Sequence, residues 1–419
     1  MVSYKQGVKR PLLSKEQAFK NTLYASFGGI LEFYDFILFV FFTSIFAQIF
    51  FPPNNEFWAE LGVWISFGAG YLARPFGALI FAHFGDIKGR KPVFYISMLF
   101  MIIPSFVLAF LPTYESIGLF ATILLFAVRI VQGLAVGAEV SGAWVFVSEL
   151  VSEKYKSLAL SFISATLTVG LLLAALISLF INFYFTQEEI KEYAWRIPFI
   201  IGAVFGIIAC FLRTKLVESP VFLKLVNEDK RLKFPLLQAL KTHKKAMLVC
   251  VLMSVILSSG VATLTIIPKH FDTLFAFSET QKILYTNLAS VCIILGSLTQ
   301  GLLATFFGNY KICFIFSLSF AFFGVLLGFY DDNFLLYYLC ACFSQGIISF
   351  APIFMTKVFS AELKFSGLAF AYNLSYCILV FFTPFVVNAI YEDKIAYYML
   401  FVALSSLLCI VLVKHLDKD

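Results

Sequence analysis

Two acidic residues, Glu32 and Asp35, lie three positions apart in the stretch GGILEFYDFILFVF (28–41), which contains no other charge. At this spacing we expect both side chains on one face of a helix. Two carboxylates this close in a low-dielectric environment repel each other, which favours protonation of one of them. The pair is therefore a candidate for binding a proton on one side of a membrane and releasing it on the other, with Asp35 as the favoured proton site. The alternative interpretation is a pair of structural counter-ions for arginines elsewhere in the protein.

Arg129 is a basic residue inside another apolar stretch, and Gln132 lies on the same helical face. A guanidinium can hold a carboxylate ligand through two parallel hydrogen bonds, so Arg129 and Gln132 are candidates for binding a substrate anion. Arg129 could instead compensate the charge of Asp35 or Glu32. If protonation of either acid frees Arg129 for a carboxylate, proton and anion binding become coupled.

Arg74 and Glu139 are further charges within apolar stretches. Arg74 precedes Pro75, which restricts its backbone, and both substrate contact and a structural ion pair are consistent with its position. Glu139 lies about 15 Å along a helix from Arg129, at 1.5 Å per residue. A role in gating or proton relay and an ion pair with loop bases remain equal alternatives for Glu139.

The composition indicates which type of secondary structure positions these charged side chains. The chain of 419 residues is 61% hydrophobic and 13% charged, with a mean hydropathy of +0.91, so lipid must be the solvent for most of it. About 20 apolar residues form a helix that crosses a bilayer. We predict an all-α polytopic membrane protein with twelve transmembrane helices, at 20–50, 57–83, 92–112, 117–149, 157–185, 196–213, 245–268, 280–306, 311–330, 334–358, 366–390 and 396–414.

The basic residues between these runs indicate the orientation, because cytoplasmic loops collect Lys and Arg. Alternate gaps hold most of the bases, so both termini are predicted to be cytoplasmic. The longest polar gap divides the runs six and six, and FGDIK (84–88) and FGNYK (307–311) follow the second and the eighth run. We therefore predict an N-terminal six-helix half at 1–213, a central cytoplasmic loop at 214–244 and a C-terminal six-helix half at 245–419.

The turn GDIKGRK (85–91) combines an acid with several bases and two glycines. An anchor that obeys the positive-inside rule would need only the bases. Gly85 and Gly89 would allow a tight reversal with unusual φ values, and Asp86 could bind a basic partner or cap a neighbouring helix. With Arg90 and Lys91, these residues are predicted to join the two halves in one state and to release them in another.

Gly85-Asp86…Gly89-Arg90-Lys91 resembles the signature of the loop between helices 2 and 3 of the major facilitator superfamily. Further stretches resemble one family within it, the metabolite:proton symporters, which includes proline/betaine, α-ketoglutarate, citrate and shikimate permeases. These stretches follow the family's order over nearly the full length: GGILEFYDF (28–36), YLARPFGALIFAHFGD (71–86), RIVQGLAVGAEVSGA (129–143), WRIPF (195–199), RTKLVESPVF (213–222) and AELKFSGLAFAYNL (361–374).

The resemblance implies additional roles and has two departures. Tyr372 and Asn373 match the family's motif in the eleventh helix, which implies hydrogen bonds to a substrate. Gly29 replaces the family's usual Asn. FGNYKICF (307–314) lacks the acid and arginines that family members usually have there, so a matching charge cluster in the second half is not expected.

Together, the buried charges and the resemblance predict a secondary active transporter that imports a small carboxylate-bearing metabolite with a proton, by alternating access. Symport of a zwitterion such as proline or betaine is the alternative, with export less favoured and a non-transporting membrane sensor as the alternative from another class. The four histidines have no metal-ligand spacing, and no catalytic or phosphate-binding motif occurs, so we expect neither an enzyme nor a cofactor. We expect no nucleic acid as a partner, a monomer, and a location in the inner membrane of a bacterium.

Overall fold

The computed structural model describes residues 14–52, 56–230, 232–261, 263–264, 279–328, 333–389 and 395–416. Its regular secondary structure within these ranges is helical, as the composition predicted. Twelve long helical segments follow one another along the chain. They are α1 (Lys15–Phe41), α2 (Glu56–Gly77, extended to Lys88), α3 (Arg90–Ala109), α4 (Leu119–Leu150), α5 (Glu153–Tyr184), α6 (Arg196–Thr214), α7 (Lys244–Val261), α8 (Glu279–Phe307), α9 (Asn309–Leu327), α10 (Phe334–Ser344, extended to Met355), α11 (Lys364–Ala389) and α12 (Ile395–Leu416).

Ten of these segments in the described ranges are long and apolar enough to cross a bilayer. The other two, α7 and α11, border residues outside the described ranges. The predicted fold class of a polytopic helical bundle is therefore confirmed. We call the end of the bundle that carries the α2–α3 turn, the α8–α9 turn and the segment between α6 and α7 the basic end, because most of the Lys and Arg between helices lie there.

The first predicted run, 20–50, is two helices rather than one. Helix α1 ends at Phe41, and a separate helix covers Thr43–Phe50. The hydroxyl of Thr43 donates a 2.8 Å hydrogen bond to the carbonyl of Val40 in the last turn of α1. At its other end, α1 starts with a capping box in which the hydroxyl of Ser14 accepts from the N–H of Gln17.

Helix α2 extends further than predicted and includes part of the GDIKGRK sequence. Pro75 lacks an N–H and so removes one hydrogen bond from the helix. A π-helical turn follows at Ala78–Ala82, and the α-helix resumes at His83–Lys88. Gly85 and Asp86 are therefore helical, and the expectation of an unusual φ at Gly85 was wrong. Only Gly89, with φ of +113°, reverses the chain between α2 and α3.

Glycines allow close packing of α2 on α4 within the N-terminal helices. A methyl group on Gly133 would collide with the carbonyl of Gly70, and one on Gly137 would collide with the carbonyl of Arg74. The glycines at this spacing therefore act in helix packing. This contact fixes the position of Arg74 relative to α4.

The most extensive contacts between the first six and the last six helices lie at two places. Helix α5 packs along α8, and α11 packs against α2 and α4. Helix α10 is interrupted beside α5, α7 and α8 by a 3₁₀ turn at Gln345–Ser349, before the helix resumes at Phe350–Met355. Between α6 and α7, two short helices at Pro220–Asn227 and Pro235–Thr242 lie at the basic end, and the second packs on α11.

Candidate functional site

A cavity of about 70 Å³ lies between the two sets of six helices. The charged residues on its wall are Glu32 of α1 and Arg74 of α2, and α11 contributes Tyr372 and Tyr376. The remaining wall is aromatic, aliphatic and hydroxyl-bearing, from Phe33, Phe36, Ile37, Tyr71, Trp144, Ser164, Leu167, Thr168, Leu171, Leu257, Gly260, Leu264, Ile293 and Ile348. A volume of 70 Å³ holds a few water molecules at most, so the first six and the last six helices lie close together around it.

Arg74 connects α2 to α11 at this cavity. Its side chain is 2% exposed. Nη2 donates a 3.2 Å hydrogen bond to the hydroxyl of Tyr372, and Nε donates a 3.2 Å bond to Oδ1 of Asn373. The guanidinium carbon also lies 5.0 Å from the ring centre of Tyr376 and 5.5 Å from that of Tyr71, within the range of cation–π attraction.

Two further hydrogen bonds, both donated by its amide nitrogen, orient the side chain of Asn373. Its Nδ2 donates to the carbonyl of Gly137 at 2.6 Å and to that of Ala369 at 2.7 Å. These bonds point Oδ1 toward Arg74 and tie α11 to α4. Of the two residues that the family resemblance singled out in α11, the structure therefore places Tyr372 on the cavity wall and Asn373 behind it.

Glu32 is the acidic group that faces Arg74. Its Oε1 lies 3.7 Å from Nη2 of Arg74, and the side chain is 1% exposed. Neither carboxylate oxygen accepts a hydrogen bond from any described residue. A buried charge is expensive unless it is paired and hydrogen-bonded. The charged form of Glu32 therefore depends on the ion pair with Arg74.

Asp35 lies away from the cavity wall, although it is only three residues from Glu32. Its Oδ2 accepts a short hydrogen bond from the hydroxyl of Ser105 on α3, and Oδ1 has no partner among the described residues. Ser105 in turn accepts from Nε2 of Gln132 at 3.3 Å. Asp35 is thus part of a series of hydrogen bonds between side chains inside the first six helices.

Arg129 is the last residue in this series of hydrogen bonds, which starts at Asp35. Its Nη1 donates to Oε1 of Gln132 at 2.8 Å, and its guanidinium carbon lies 4.5 Å and 4.2 Å from the ring centres of Phe36 and Phe39. Nε and Nη2 lack hydrogen-bond partners in the described part of the chain. Arg129 is therefore connected to Asp35 through Gln132 and Ser105, and neither Arg129 nor Gln132 reaches the cavity wall in this conformation.

Glu139 forms a two-pronged ion pair with Arg213 of α6. Nη1 of Arg213 donates to Oε2 of Glu139 at 2.9 Å, and Nη2 makes a second, shorter contact with Oε1. The hydroxyl of Ser97 also donates to Oε2 at 2.8 Å. A methyl group on Gly28 of α1 would collide with both charged groups. Of the two alternatives for Glu139, this geometry favours the ion pair, which joins α1, α3, α4 and α6.

The α2–α3 cluster, which we define as Asp86, Arg90, Glu149 and Ser366, lies at the basic end. Nη1 of Arg90 contacts Oδ1 of Asp86 at 2.9 Å, and Nη2 contacts Oε1 of Glu149 at 3.4 Å. Oδ2 of Asp86 accepts from the backbone N–H of Ser366 at 2.9 Å and from its hydroxyl at 2.6 Å. Asp86 thus lies at the N-terminus of α11, where the helix dipole favours a negative charge.

The other residues of the GDIKGRK sequence support this cluster by close packing and backbone bonds. Gly85 faces the ring of Phe365, which leaves no room for a side chain. The backbone N–H groups of Arg90 and Lys91 each donate to Glu218 at 3.1 Å. Lys91 contributes through its backbone here rather than through its charge.

Several residues that contact the predicted site residues were not singled out by the sequence: Ser97, Ser105, Glu149, Arg213, Glu218 and Ser366. Arg213 and Glu218 both lie in RTKLVESPVF, a stretch that the family resemblance includes without a role for them. Arg213 is also the last residue of the predicted N-terminal half, next to the predicted central loop, where the positive-inside rule alone accounts for a base. Ser366 likewise lies in AELKFSGLAFAYNL, another stretch of the resemblance, whereas Glu149 lies in none of these stretches and is identified only by its contact with Arg90.

Known proteins resemble this chain over most of its length. The family model described as sugar (and other) transporter matches residues 21–247. The inner membrane metabolite transport protein YhjE of Escherichia coli is 30% identical over 361 residues, covering 83% of this chain and 82% of that protein. The citrate-proton symporter of Klebsiella pneumoniae is 27% identical over 91% of this chain and 88% of its own. A putative proline/betaine transporter of Staphylococcus aureus is 26% identical over 90% of this chain and 82% of its own.

Among solved structures, the proton:xylose symporter XylE of the major facilitator superfamily superimposes with a TM-score of 0.78 at 16% sequence identity, over 95% of each chain. At this identity the similarity concerns the fold. It agrees with the order and packing of the twelve helical segments. The chain therefore belongs to the sugar (and other) transporter family, with the fold of that symporter, and it is an integral membrane transporter rather than an enzyme.

Proposed function

We propose that the chain imports a small carboxylate-bearing metabolite, such as a dicarboxylate, a tricarboxylate or a keto acid, together with a proton. One observation carries the proposal. Arg74, the cation on the wall of the described cavity, faces a single counter-ion, Glu32, that has no hydrogen bond of its own among the described residues. A buried guanidinium with a replaceable partner is a binding site for an external carboxylate.

Coupling follows from the charge balance of this pair. When Glu32 is ionised, it satisfies the charge of Arg74 and repels a substrate carboxylate. When Glu32 is protonated, Arg74 loses its counter-ion, and a substrate carboxylate can take its place. Release of the proton restores the ion pair and displaces the anion. Substrate and proton therefore bind together and leave together.

Asp35 is proposed as a second proton site behind the cavity. The hydrogen bonds that lead from Asp35 through Ser105 and Gln132 to Arg129 give the Asp35 carboxylate one hydrogen bond, and Arg129 does not contact it directly. The sequence favoured Asp35 over Glu32 and assigned anion binding to Arg129. We now propose Glu32 and Arg74 as the pair that exchanges with the substrate in this conformation. Asp35 and Arg129 would join the site only if the helices rearrange.

Alternating access would require the α2–α3 cluster to open. We propose that the basic end faces the cytoplasm, because positive residues collect on that side, and that the membrane is a bacterial inner membrane. The hydrogen bonds from Ser366 to Asp86 hold the N-terminus of α11 against α2. They must break before the basic end can open. The predicted division into halves at 1–213 and 245–419, joined by 214–244, stays part of this proposal.

Uptake into proteoliposomes tests the proposed function. Radiolabelled citrate, α-ketoglutarate and betaine are offered with and without an inward proton gradient. We expect uphill accumulation of a carboxylate only with the gradient, and collapse of accumulation by a protonophore. Accumulation that ignores the proton gradient would contradict symport, and a requirement for acid on the opposite side would indicate export.

Symport of a zwitterion is the second candidate, and the cavity wall provides an observation that favours it. Tyr71, Trp144, Tyr372 and Tyr376 surround the site beside Glu32. Aromatic ring faces attract quaternary ammonium groups, so Glu32 and the rings could hold the cationic end while Arg74 holds the carboxylate. Inhibition of uptake by betaine but not by dicarboxylates would favour this candidate.

A further inference from the structure

The second short helix between α6 and α7, Pro235–Thr242, has two unlike faces, and we call it the loop helix. Pro235 and Ala239 are buried on one face. A methyl group added to Gly367 of α11 would lie 3.2 Å from the Cβ atom of Ala239, so this face packs closely on α11. The loop helix is therefore held against the body of the transporter, and its other face points away from α11.

The outward face of the loop helix carries large apolar side chains. Phe234, at the N-cap, is 68% exposed, and Leu237 and Leu240 are 54% and 41% exposed. Because they recur at intervals of three residues, they lie side by side on an arc of about 120° centred on Leu237. Apolar side chains that are exposed together, rather than scattered singly, indicate an interaction surface.

Lysines border this apolar face. Lys233 and Lys241 lie four residues before and four residues after Leu237, and Lys244 follows at the start of α7. All three are exposed. They take part in none of the ion pairs among the described residues. The sequence from 231 to 271 contains no acidic residue, so the surface carries positive charge that its own neighbourhood does not neutralise.

The outward face lies next to the part of α7 that faces lipid. Helix α7 begins at Lys244, and only His243 separates it from the loop helix. On α7, the apolar side chains of Leu248 and Val251 are 46% and 41% exposed. In a membrane-spanning bundle, such side chains are surrounded by hydrocarbon. The loop helix is attached to the end of this apolar stretch, which is the level of the lipid headgroups.

We propose that the outward face of the loop helix is a binding surface for anionic phospholipids. Phe234, Leu237 and Leu240 enter the boundary between headgroups and acyl chains, and the lysines beside them contact lipid phosphates. A helix with an apolar face and adjacent lysines binds at this boundary, and lysines close to an anionic leaflet attract its headgroups. The segment that the sequence assigned to a cytoplasmic loop then rests, in part, on the membrane surface.

Quenching of tryptophan fluorescence by brominated lipids tests this proposal. Leu237→Trp is introduced into the full chain, which is reconstituted into vesicles of phosphatidylcholine with a minority of phosphatidylglycerol. Bromine is placed on the acyl chains of one lipid or the other at equal mole fraction, and the signal of the four native tryptophans is subtracted. Phe183→Trp is the matched control, because Phe183 is 79% exposed near the end of α5 that lies away from the basic end.

We expect brominated phosphatidylglycerol to quench the tryptophan at position 237 at least about twofold more strongly than brominated phosphatidylcholine, because each nearby lysine raises the local concentration of anionic lipid. At position 183 the two lipids should quench equally. High salt should reduce the preference at position 237, since it screens exposed charges.

Two double variants separate the lysines of the loop helix from ordinary surface charge. Lys233→Gln with Lys241→Gln should remove the preference for the anionic lipid at position 237. Lys224→Gln with Lys230→Gln removes the same amount of charge and should leave the preference in place, because both of these lysines already pair with Glu228.

Equal quenching by the two lipids at position 237 would overturn the proposal, because the contact would then be apolar without selection for charge. Absence of quenching by either lipid would also overturn it and would indicate that water or another protein covers the loop helix. The readout needs neither a substrate nor a proton gradient, so it is independent of the outcome of the uptake experiments.

Discussion

Oε1 of Glu32 lies 3.7 Å from Nη2 of Arg74, and no hydrogen bond joins the two buried side chains. Arg74 instead directs its hydrogen bonds across the boundary between the halves, to Tyr372 and Asn373 of α11. The guanidinium thus belongs to α2, and its hydrogen-bond partners belong to α11. Loss or replacement of its counter-ion can therefore change the contact between the halves.

Replacing Arg74 with lysine should weaken substrate binding by about 10- to 100-fold. Lysine keeps the charge but cannot make two parallel hydrogen bonds to a carboxylate, and a hydrogen bond to a charged group contributes about 1.5–3 kcal/mol. The concentration dependence of initial uptake measures the change. Arg196→Lys is the control, because Arg196 bonds to the carbonyls of Ala109 and Leu111, away from the cavity. Equal affinity in Arg74→Lys and wild type would exclude Arg74 as the anion ligand.

Asp86 and Ser366 should show energetic coupling. The double-mutant cycle of Asp86→Asn and Ser366→Ala is expected to give a coupling free energy of about 1–2 kcal/mol, because the two side chains share a charge-assisted hydrogen bond. Thermal unfolding in detergent provides the measurement. Ser366→Ala combined with Glu115→Gln provides the control cycle, since Glu115 lies in the α3–α4 connection, at the other end of the bundle. Strict additivity of Asp86→Asn and Ser366→Ala would count against the cluster as a tie between the halves.

Gly133→Ala should destabilise the protein, because the added methyl group would collide with the backbone of Gly70 and push α4 away from α2. Overpacking of this kind costs about 1–3 kcal/mol. Gly68→Ala on α2 is the matched control, because its added methyl group meets no atom within 4 Å. A lower melting temperature is expected for Gly133→Ala alone. Similar melting temperatures for both variants would show that there is room for a methyl group between Gly133 of α4 and the backbone of α2.

His243 should not set the pH dependence of uptake. Partial burial lowers the pKa of His243 below its usual value, so the side chain is neutral at pH 7. Because the folded-state pKa of His243 lies below the unfolded value, the neutral side chain favours the folded state fully above the unfolded pKa, and this contribution is lost as the pH falls from the unfolded pKa through the lower folded-state pKa. His243→Gln should therefore leave the uptake profile between pH 6 and 8 unchanged. A shifted profile would assign proton sensing to the segment between α6 and α7.

The sequence predicted the twelve helices because the hydrophobic runs are long and the bilayer permits few alternatives. It did not predict the break at Phe42, because neither proline nor glycine marks it. The largest difference concerns Glu32 and Asp35. A spacing of three residues leaves about 60° between two side chains on a helix, enough for Glu32 to face the cavity while Asp35 faces Ser105. The pairing of Glu139 with Arg213 depends on how α4 and α6 pack, which the order of residues does not specify.

The exchange of Glu32 for a substrate carboxylate at Arg74 is tested most directly by Glu32→Gln in proteoliposomes. Two quantities are measured on the same preparation: exchange of labelled for unlabelled substrate at equilibrium, and uphill accumulation driven by a proton gradient. Because glutamine mimics the protonated acid, we expect exchange to be retained while accumulation is lost. Accumulation by Glu32→Gln to the wild-type level would contradict the account.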